Sequence, residues 1–186
     1  MSPPTAAGPR YVPGSGQAGR HVIAAIVRDR PGVLNRVASL LRARTFNIES
    51  LAVGRTEAPD LSRMTIVLHG DDYGVEQVSK QLYRLIDVLK VQDMTAERSI
   101  EHELALIKVR ATNANRAEVL KLVELSHGRV VDVAADSIVV EVAGSPDEIA
   151  GLVDHLSTYG IKELVRTGSV AMARGSQSIG YEGANH

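Results

Sequence analysis

Hydrophobic and polar positions follow two different periods along the first half of the chain. Residues 21–28 form an apolar and β-branched run, which predicts a strand. The next apolar residues recur at the spacing of an amphipathic helix, whose stripe comprises Val33, Leu34, Val37, Leu40 and Leu41. Two strands at 47–55 and 63–69, a helix beginning at Asp71–Asp72 and a strand at 88–93 are predicted to follow. The predicted order is therefore β-α-β-β-α-β.

The second half of the chain repeats this order. Strands are predicted at 104–110, 129–134, 137–143 and 161–167, with a helix at 115–127 between the first two. Ser145 and Glu148 form a capping box with Pro146 at the first position of the last helix. An offset of 82 residues aligns the first three elements of the two halves, so that Val37 falls on Val119.

This repeated pattern predicts an α+β protein of two ferredoxin-like βαββαβ domains in tandem. Each domain has an antiparallel sheet with both helices on one face. The other face needs a cover, which predicts either a homodimer or docking of one half on the other.

Composition sets the domain boundaries. Residues 1–20 hold four of the seven prolines and four glycines, so we expect a disordered tail there. Residues 175–186 are rich in Gly and Ser, and we expect a flexible tail. The predicted domains are 21–95 and 96–174.

Charge and residue content exclude several classes of function. The formal net charge is −1 and no basic stretch is present, so we expect no nucleic-acid partner. Cysteine is absent, which removes disulfides, thiolate nucleophiles and cysteine metal sites. No run of 18 apolar residues predicts a membrane span, and the N-terminus lacks the apolar core of a secretory signal.

No motif in the sequence predicts catalysis. The pattern G-x-G-x-x-G at 14–19 follows a Pro-rich segment instead of a strand, so it is read as a linker. The six histidines lack metal-ligand spacing, and we expect them to be surface residues and not metal ligands. Neither a nucleophile elbow nor a P-loop is present. We therefore expect no catalytic residue and no metal.

The segment that joins the first strand to the first helix is the remaining candidate. Pro31 presets the backbone for a helix start, and Gly32 permits close approach of a ligand. The first amides of the helix can bind a carboxylate, and Asp29 can accept from an ammonium group, so the segment suits an amino acid. The alternative is that Asp29 only caps the helix in ordinary turn chemistry.

Five blocks of sequence resemble the small, regulatory subunit of acetolactate synthase (acetohydroxyacid synthase). They are DRPGVL at 29–34, FNIESLAVG at 46–54, LSRMTI at 61–66, LALIKV at 104–109 and VDV at 131–133. The resemblance covers about 21–174. The blocks around Asn47 and Ser62 are specific to this family, whereas D-x-P-G alone indicates only an ACT domain, the amino-acid-sensing module.

The resemblance implies that the first domain is an ACT domain and that the chain is a homodimer. A branched-chain amino acid, chiefly valine, would bind where two ACT domains meet. Gly32, Val33 and neighbouring amides would hold its carboxylate, and Asp29 and Asn47 would hold its polar end. Ile48 would contact its isopropyl group. This chain has Asp29 and Pro31 where some members have Asn and Ser, which adds a charge beside the ligand.

The resemblance also implies a function without catalysis by this chain. It would bind and activate the catalytic subunit in the cytoplasm and confer feedback inhibition on branched-chain amino acid synthesis, including that of valine and isoleucine. Thiamine diphosphate, Mg²⁺ and FAD would belong to that partner. A free-standing sensing module that acts on another partner, such as a transcription factor, is the alternative. An enzyme is a third class of function, and the absence of any recognisable set of catalytic residues in the sequence disfavours it.

Overall fold

A computed structural model describes residues 19–42, 47–95 and 99–180. The chain divides into two compact units. Among the described residues, the first unit holds 19–95 and 173–180 apart from the gap at 43–46, and the second holds 99–172.

The first unit has the predicted β-α-β-β-α-β order. Its elements are β1 (Gly19–Arg28), α1 (Val33–Arg42), β2 (Asn47–Arg55), β3 (Leu61–Gly70), α2 (Asp72–Leu82) and β4 (Val88–Asp93). The sheet is antiparallel with the order β2-β3-β1-β4. Strand β2 is therefore one edge of the sheet, and β1 lies at its centre.

The core of the first unit lies between the sheet and its two helices. Its helical members are Val33, Val37 and Leu41 of α1 and Val75, Val78 and Leu82 of α2. Strand β1 is buried on both faces, because Val22, Ala24 and Ile26 are buried as well as their neighbours on the helix side. The apolar run of this central strand is thus typical of a strand that is covered on both sides.

The second unit repeats the topology. Its elements are β5 (Ser99–Arg110), α3 (Arg116–Leu125), β6 (Arg129–Val133), β7 (Ser137–Gly144), α4 (Pro146–Ser157), β8 (Ile161–Arg166) and β9 (Val170–Ala173). The sheet order is β6-β7-β5-β8, and β9 also pairs with β5. Along β5, Ala105, Ile107 and Val109 enter the core, while Leu104 and Leu106 are each 37% exposed. This sheet has one core face and one open face.

The predicted fold class, two ferredoxin-like βαββαβ domains of α+β type, is confirmed. Several boundaries differ from the expected ones. Strand β1 begins at Gly19, inside the segment expected to be a tail, and β5 begins at Ser99, five residues before the predicted start. Strand β9 was not predicted. These additional strand residues pair with segments distant in sequence, and hydrophobic periodicity within one segment does not predict such pairing.

The carboxylate of Glu103, one residue before the predicted start of β5, is held by two donors. It is buried, and it accepts from Arg166 at 2.6 Å and from the Ser169 hydroxyl at 2.7 Å. A buried carboxylate with such donors stabilises the segment that carries it, because its charge is compensated.

The described part of the second tail is not free of contacts. Ile179 is 5% exposed, and Nζ of Lys90 donates to the carbonyl of Gly180 at 3.2 Å. Residues 175–180 thus differ from the flexible tail that their composition predicts. The expectations for 1–18 and 181–186 lie outside the described residues. No helix in the described part of the chain has both the length and the hydropathy needed to cross a membrane.

The predicted capping box at the start of α4 is present. Oγ of Ser145 accepts from the amide of Glu148 at 3.3 Å, and the Glu148 carboxylate accepts from the amide of Ser145 at 2.8 Å. Bonds from the Ser145 backbone amide, and then from its hydroxyl, lower the pKa of Glu148 below its usual value. The ionised form of Glu148 is therefore the one that stabilises α4.

We predict that Glu148→Gln lowers the stability of the second unit at neutral pH. A lowered folded-state pKa contributes stability above the unfolded-state pKa, and this contribution is lost as the pH falls through the folded-state pKa. The difference between variant and wild type should therefore shrink with acidification. Hydrogen exchange of α4 amides between pH 7 and 3 measures it, with Glu124→Gln on α3 as the control. A difference independent of pH would contradict the capping role.

Candidate functional site

The connection from β1 to α1 is held at two backbone points. The amide of Arg28 donates to the carbonyl of Asp87 at 2.8 Å, and the amide of Asp29 donates to the carbonyl of Asp60 at 2.7 Å. Gly32 has φ of +86°, a conformation that favours glycine. The chain thus enters α1 through a turn that the neighbouring loops support.

The start of α1 leaves backbone donors open. The amides of Val33 and Arg36 bond to the carbonyls of Arg30 and Gly32. The amides of Gly32, Leu34 and Asn35 have no partner among the residues that the structure describes. Because these donors lie where the helix dipole is positive, the segment can bind an anion such as a carboxylate.

Asp29 does not cap α1. Its carboxylate instead pairs with Nε of Arg55, at the end of β2, at 3.3 Å. By contrast, side chains cap two other helix starts, Asp71 at α2 and Ser145 at α4. The capping alternative for Asp29 is therefore wrong. Arg55 is 88% exposed, so this ion pair is weak and a ligand can exchange with it at small cost.

A second ion pair lies beside Gly32. Nη2 of Arg36 pairs with Oδ2 of Asp87, whose side chain is 7% exposed. A Cβ atom at Gly32 would lie 3.5 Å from Nη1 of Arg36, so the guanidinium lies against this glycine. The sequence reasoning missed Arg36, Asp87 and Arg55. The i, i+4 spacing from Gly32 to Arg36 could have indicated that Arg36 lies on the same helix face as Gly32. The positions of Asp87 and Arg55, by contrast, depend on the tertiary fold.

The predicted site residues do not meet within one chain. Asn47 and Ile48 pair with His69 and Leu68, at the end of the sheet where β3 finishes. Arg55, which contacts Asp29, pairs with Ser62 at the opposite end. The two ends of β2 are roughly 26 Å apart at about 3.3 Å per residue. Asp29 and Gly32 therefore lie far from the start of β2.

The side chains of the two other predicted residues have structural contacts. Val33 is buried in the core of the first unit, so only its backbone lies at the helix start. Ile48 is partly buried and packs against the same core. Asn47 begins β2, an edge strand.

The corresponding segment of the second unit has different chemistry. At the offset of 82, residues 29–32 fall on 111–114, where Pro and Gly are absent. Oδ1 of Asn115 accepts from the amide of Thr112 at 2.7 Å. Nη2 of Arg116 donates to the carbonyls of Ala111, Ala134 and Ala135. The guanidinium of Arg116 thus ties the start of α3 to the turn of the β6–β7 hairpin.

The five histidines that the structure describes show no arrangement for a metal. Within 19–42, 47–95 and 99–180, no group of three or more His, Asp or Glu side chains is placed to hold an ion. His21, expected on the surface, is 2% exposed, and its Nε2 lies 3.1 Å from the carbonyl of Gly70. Its role is structural, because it bonds across the β1–β3 pair.

Two family descriptions match the chain. The AHAS small subunit-like ACT domain matches residues 23–90, and the small subunit of acetolactate synthase, in its C-terminal part, matches residues 102–175. The two matched ranges correspond to the two sheets of the structure.

Individual relatives match almost over their full length. A probable acetolactate synthase small subunit of Archaeoglobus fulgidus is 53% identical over 158 residues, which cover 85% of this chain and 99% of that protein. The acetolactate synthase small subunit of Mycolicibacterium smegmatis is 45% identical over 160 residues, 86% of this chain and 95% of that protein. A crystal structure of the small subunit from Thermotoga maritima has a TM-score of 0.78 at 38% identity, and covers 85% of this chain and 99% of that one.

We predict that Gly32→Ala destabilises the first unit by about 1–2 kcal/mol, the cost of a left-handed backbone for a residue with a Cβ. Space is not the cause, since the nearest atom to the new Cβ is 3.5 Å away. Gly151→Ala, inside α4 with open space around it, should instead stabilise by up to about 1 kcal/mol. Urea unfolding measures both. A change in the free energy of unfolding of the same sign in both variants would contradict the assignment of backbone strain to Gly32.

Proposed function

This chain belongs to the family of acetolactate synthase small subunits, and we propose that it transmits feedback inhibition by a branched-chain amino acid to the catalytic subunit. The observation that carries the proposal is the open start of α1. Within the described residues, three amides without a partner lie there beside the carboxylate of Asp29, whose ion pair with Arg55 is exposed and weak.

The donor and acceptor pattern fits a zwitterion. The carboxylate of the effector would accept from the amides of Gly32, Leu34 and Asn35, with the helix dipole favouring its charge. Its ammonium group would replace Arg55 at the carboxylate of Asp29. Valine is the proposed effector, since the family resemblance implies it.

Asn47 and Ile48 would complete the site from a second copy of the chain. Strand β2 is a sheet edge, and an edge strand has unpaired backbone groups that can pair with another chain. A two-fold axis makes such pairing antiparallel, so the start of β2 in one subunit lies beside the end of β2 in its partner. That end carries Arg55 and therefore lies next to Asp29. The homodimer would thus contain two effector sites.

The catalytic partner would supply the reaction chemistry. We propose that it carries thiamine diphosphate, Mg²⁺ and FAD, that it condenses pyruvate with a second 2-oxo acid, and that the complex works in the cytoplasm. Coupling of about 1–3 kcal/mol between the two sites would suffice for feedback.

We predict that the purified chain converts no pyruvate to acetolactate and that its addition to the catalytic subunit raises turnover. Valine should then lower the rate of the complex and leave the catalytic subunit alone unaffected. An acetolactate assay of the chain, the catalytic subunit and their mixture measures all three. Turnover by the chain alone, or a mixture that valine does not inhibit, would refute the proposal.

We also predict that Asn47→Ala keeps activation and weakens inhibition. Loss of one charge-assisted hydrogen bond, of about 1.5–3 kcal/mol, should raise the valine dissociation constant roughly 10- to 100-fold. Titration calorimetry with valine measures binding, and sedimentation measures dimerisation. Asn113→Ala, an exposed position before α3, is the control.

The competing role of Asn47 is that of a turn residue before β2. It predicts a lower melting temperature and a weaker dimer at an unchanged valine dissociation constant. That result would remove Asn47 from the effector site.

A further inference from the structure

We propose that Arg36, positioned by Asp87, is a specificity-determining residue that binds the carboxylate of the effector. This inference rests on the proposed function, because it assigns a side chain to the effector site at the start of α1. It also explains how the site would select a charged carboxylate over a neutral group.

The ion pair with Asp87 positions the guanidinium of Arg36. The side chain of Asp87 is 7% exposed, and its Oδ2 pairs with Nη2 of Arg36. The carbonyl of Asp87 accepts from the amide of Arg28 at 2.8 Å, so the residue is also held by its backbone. A side chain oriented in this way loses little freedom when it binds a ligand.

The other terminal nitrogen of the same guanidinium faces the open turn. Nη1 of Arg36 lies 3.5 Å from the position that a Cβ atom would take at Gly32. No hydrogen-bond partner of Nη1 is found among the described residues, and the side chain is about half exposed. In the proposed site, the carboxylate of the effector would accept from this nitrogen as well as from the amide of Gly32. Guanidinium groups suit this role, because their donors form a planar fork that matches a carboxylate.

The two ion pairs beside the turn each offer a partner to one end of a zwitterion. Asp29 and Arg55 form one pair, and Asp87 and Arg36 form the other, so the described pairs are balanced before a ligand binds. An amino acid brings one positive and one negative group and keeps this balance. Its carboxylate would bind between Arg36 and the open amides, and its ammonium group would bind Asp29.

Valine and valinamide, which lacks the carboxylate charge, separate this role from a structural one. In the full-length chain, Arg36→Lys should raise the valine dissociation constant about 10-fold or more, because a lysine cannot serve Asp87 and the ligand with a planar fork. The dissociation constant of valinamide should change less than about twofold. Asp87→Asn, which keeps the shape but releases Arg36, should act in the same direction. Arg42→Lys at the end of α1 is the control and should leave both ligands unaffected.

Titration calorimetry with melting temperatures measured in parallel decides the outcome. Selective loss of valine binding in Arg36→Lys or Asp87→Asn supports the proposal. Equal losses for both ligands, or unchanged valine binding in both variants, would overturn it and leave the proposed function intact. Absence of saturable valine binding in the wild-type chain would instead refute the effector site and this inference together.

Discussion

The carboxylate of Asp87 is the point on which the candidate site depends. Through its backbone and side chain, Asp87 joins the end of β1, the first turns of α1 and the segment before β4. A buried carboxylate costs free energy unless it is compensated, so the fold keeps the guanidinium of Arg36 beside Asp87 and Gly32.

The second constraint is the position of β2 at the edge of its sheet. An antiparallel strand separates its two ends by its full length, so the start of β2 and the turn at Asp29 cannot form one site within a chain. The same geometry makes a two-subunit site natural, because a two-fold axis reverses the strand. Dimerisation and effector binding would then depend on the same edge, which gives a physical route by which each stabilises the other.

The two units share one topology but differ in the turn before their first helix. Their sheets have equivalent strand orders, β2-β3-β1-β4 and β6-β7-β5-β8. The first unit leaves the start of α1 open after Pro31 and Gly32, with two ion pairs around it. In the second unit the side chains of Asn115 and Arg116 bond across the equivalent turn, to the amide of Thr112 and to the carbonyl of Ala134. The difference between the two turns therefore lies in a few side chains and not in the fold.

The amino-acid sequence alone determined the order of the elements, the duplication, the capping box at Ser145 and the turn at Asp29. Each of these features depends on hydrophobic periodicity, helix capping or turn chemistry, which residues close together in the sequence determine. Only the tertiary structure showed that Asp29 pairs with Arg55, that Arg36 pairs with Asp87 and that β9 pairs with β5. The separation of Asn47 from Gly32 also became visible only there. These contacts join segments that are distant along the chain. Strand pairing and burial determine them, and no local sequence pattern identifies the partner.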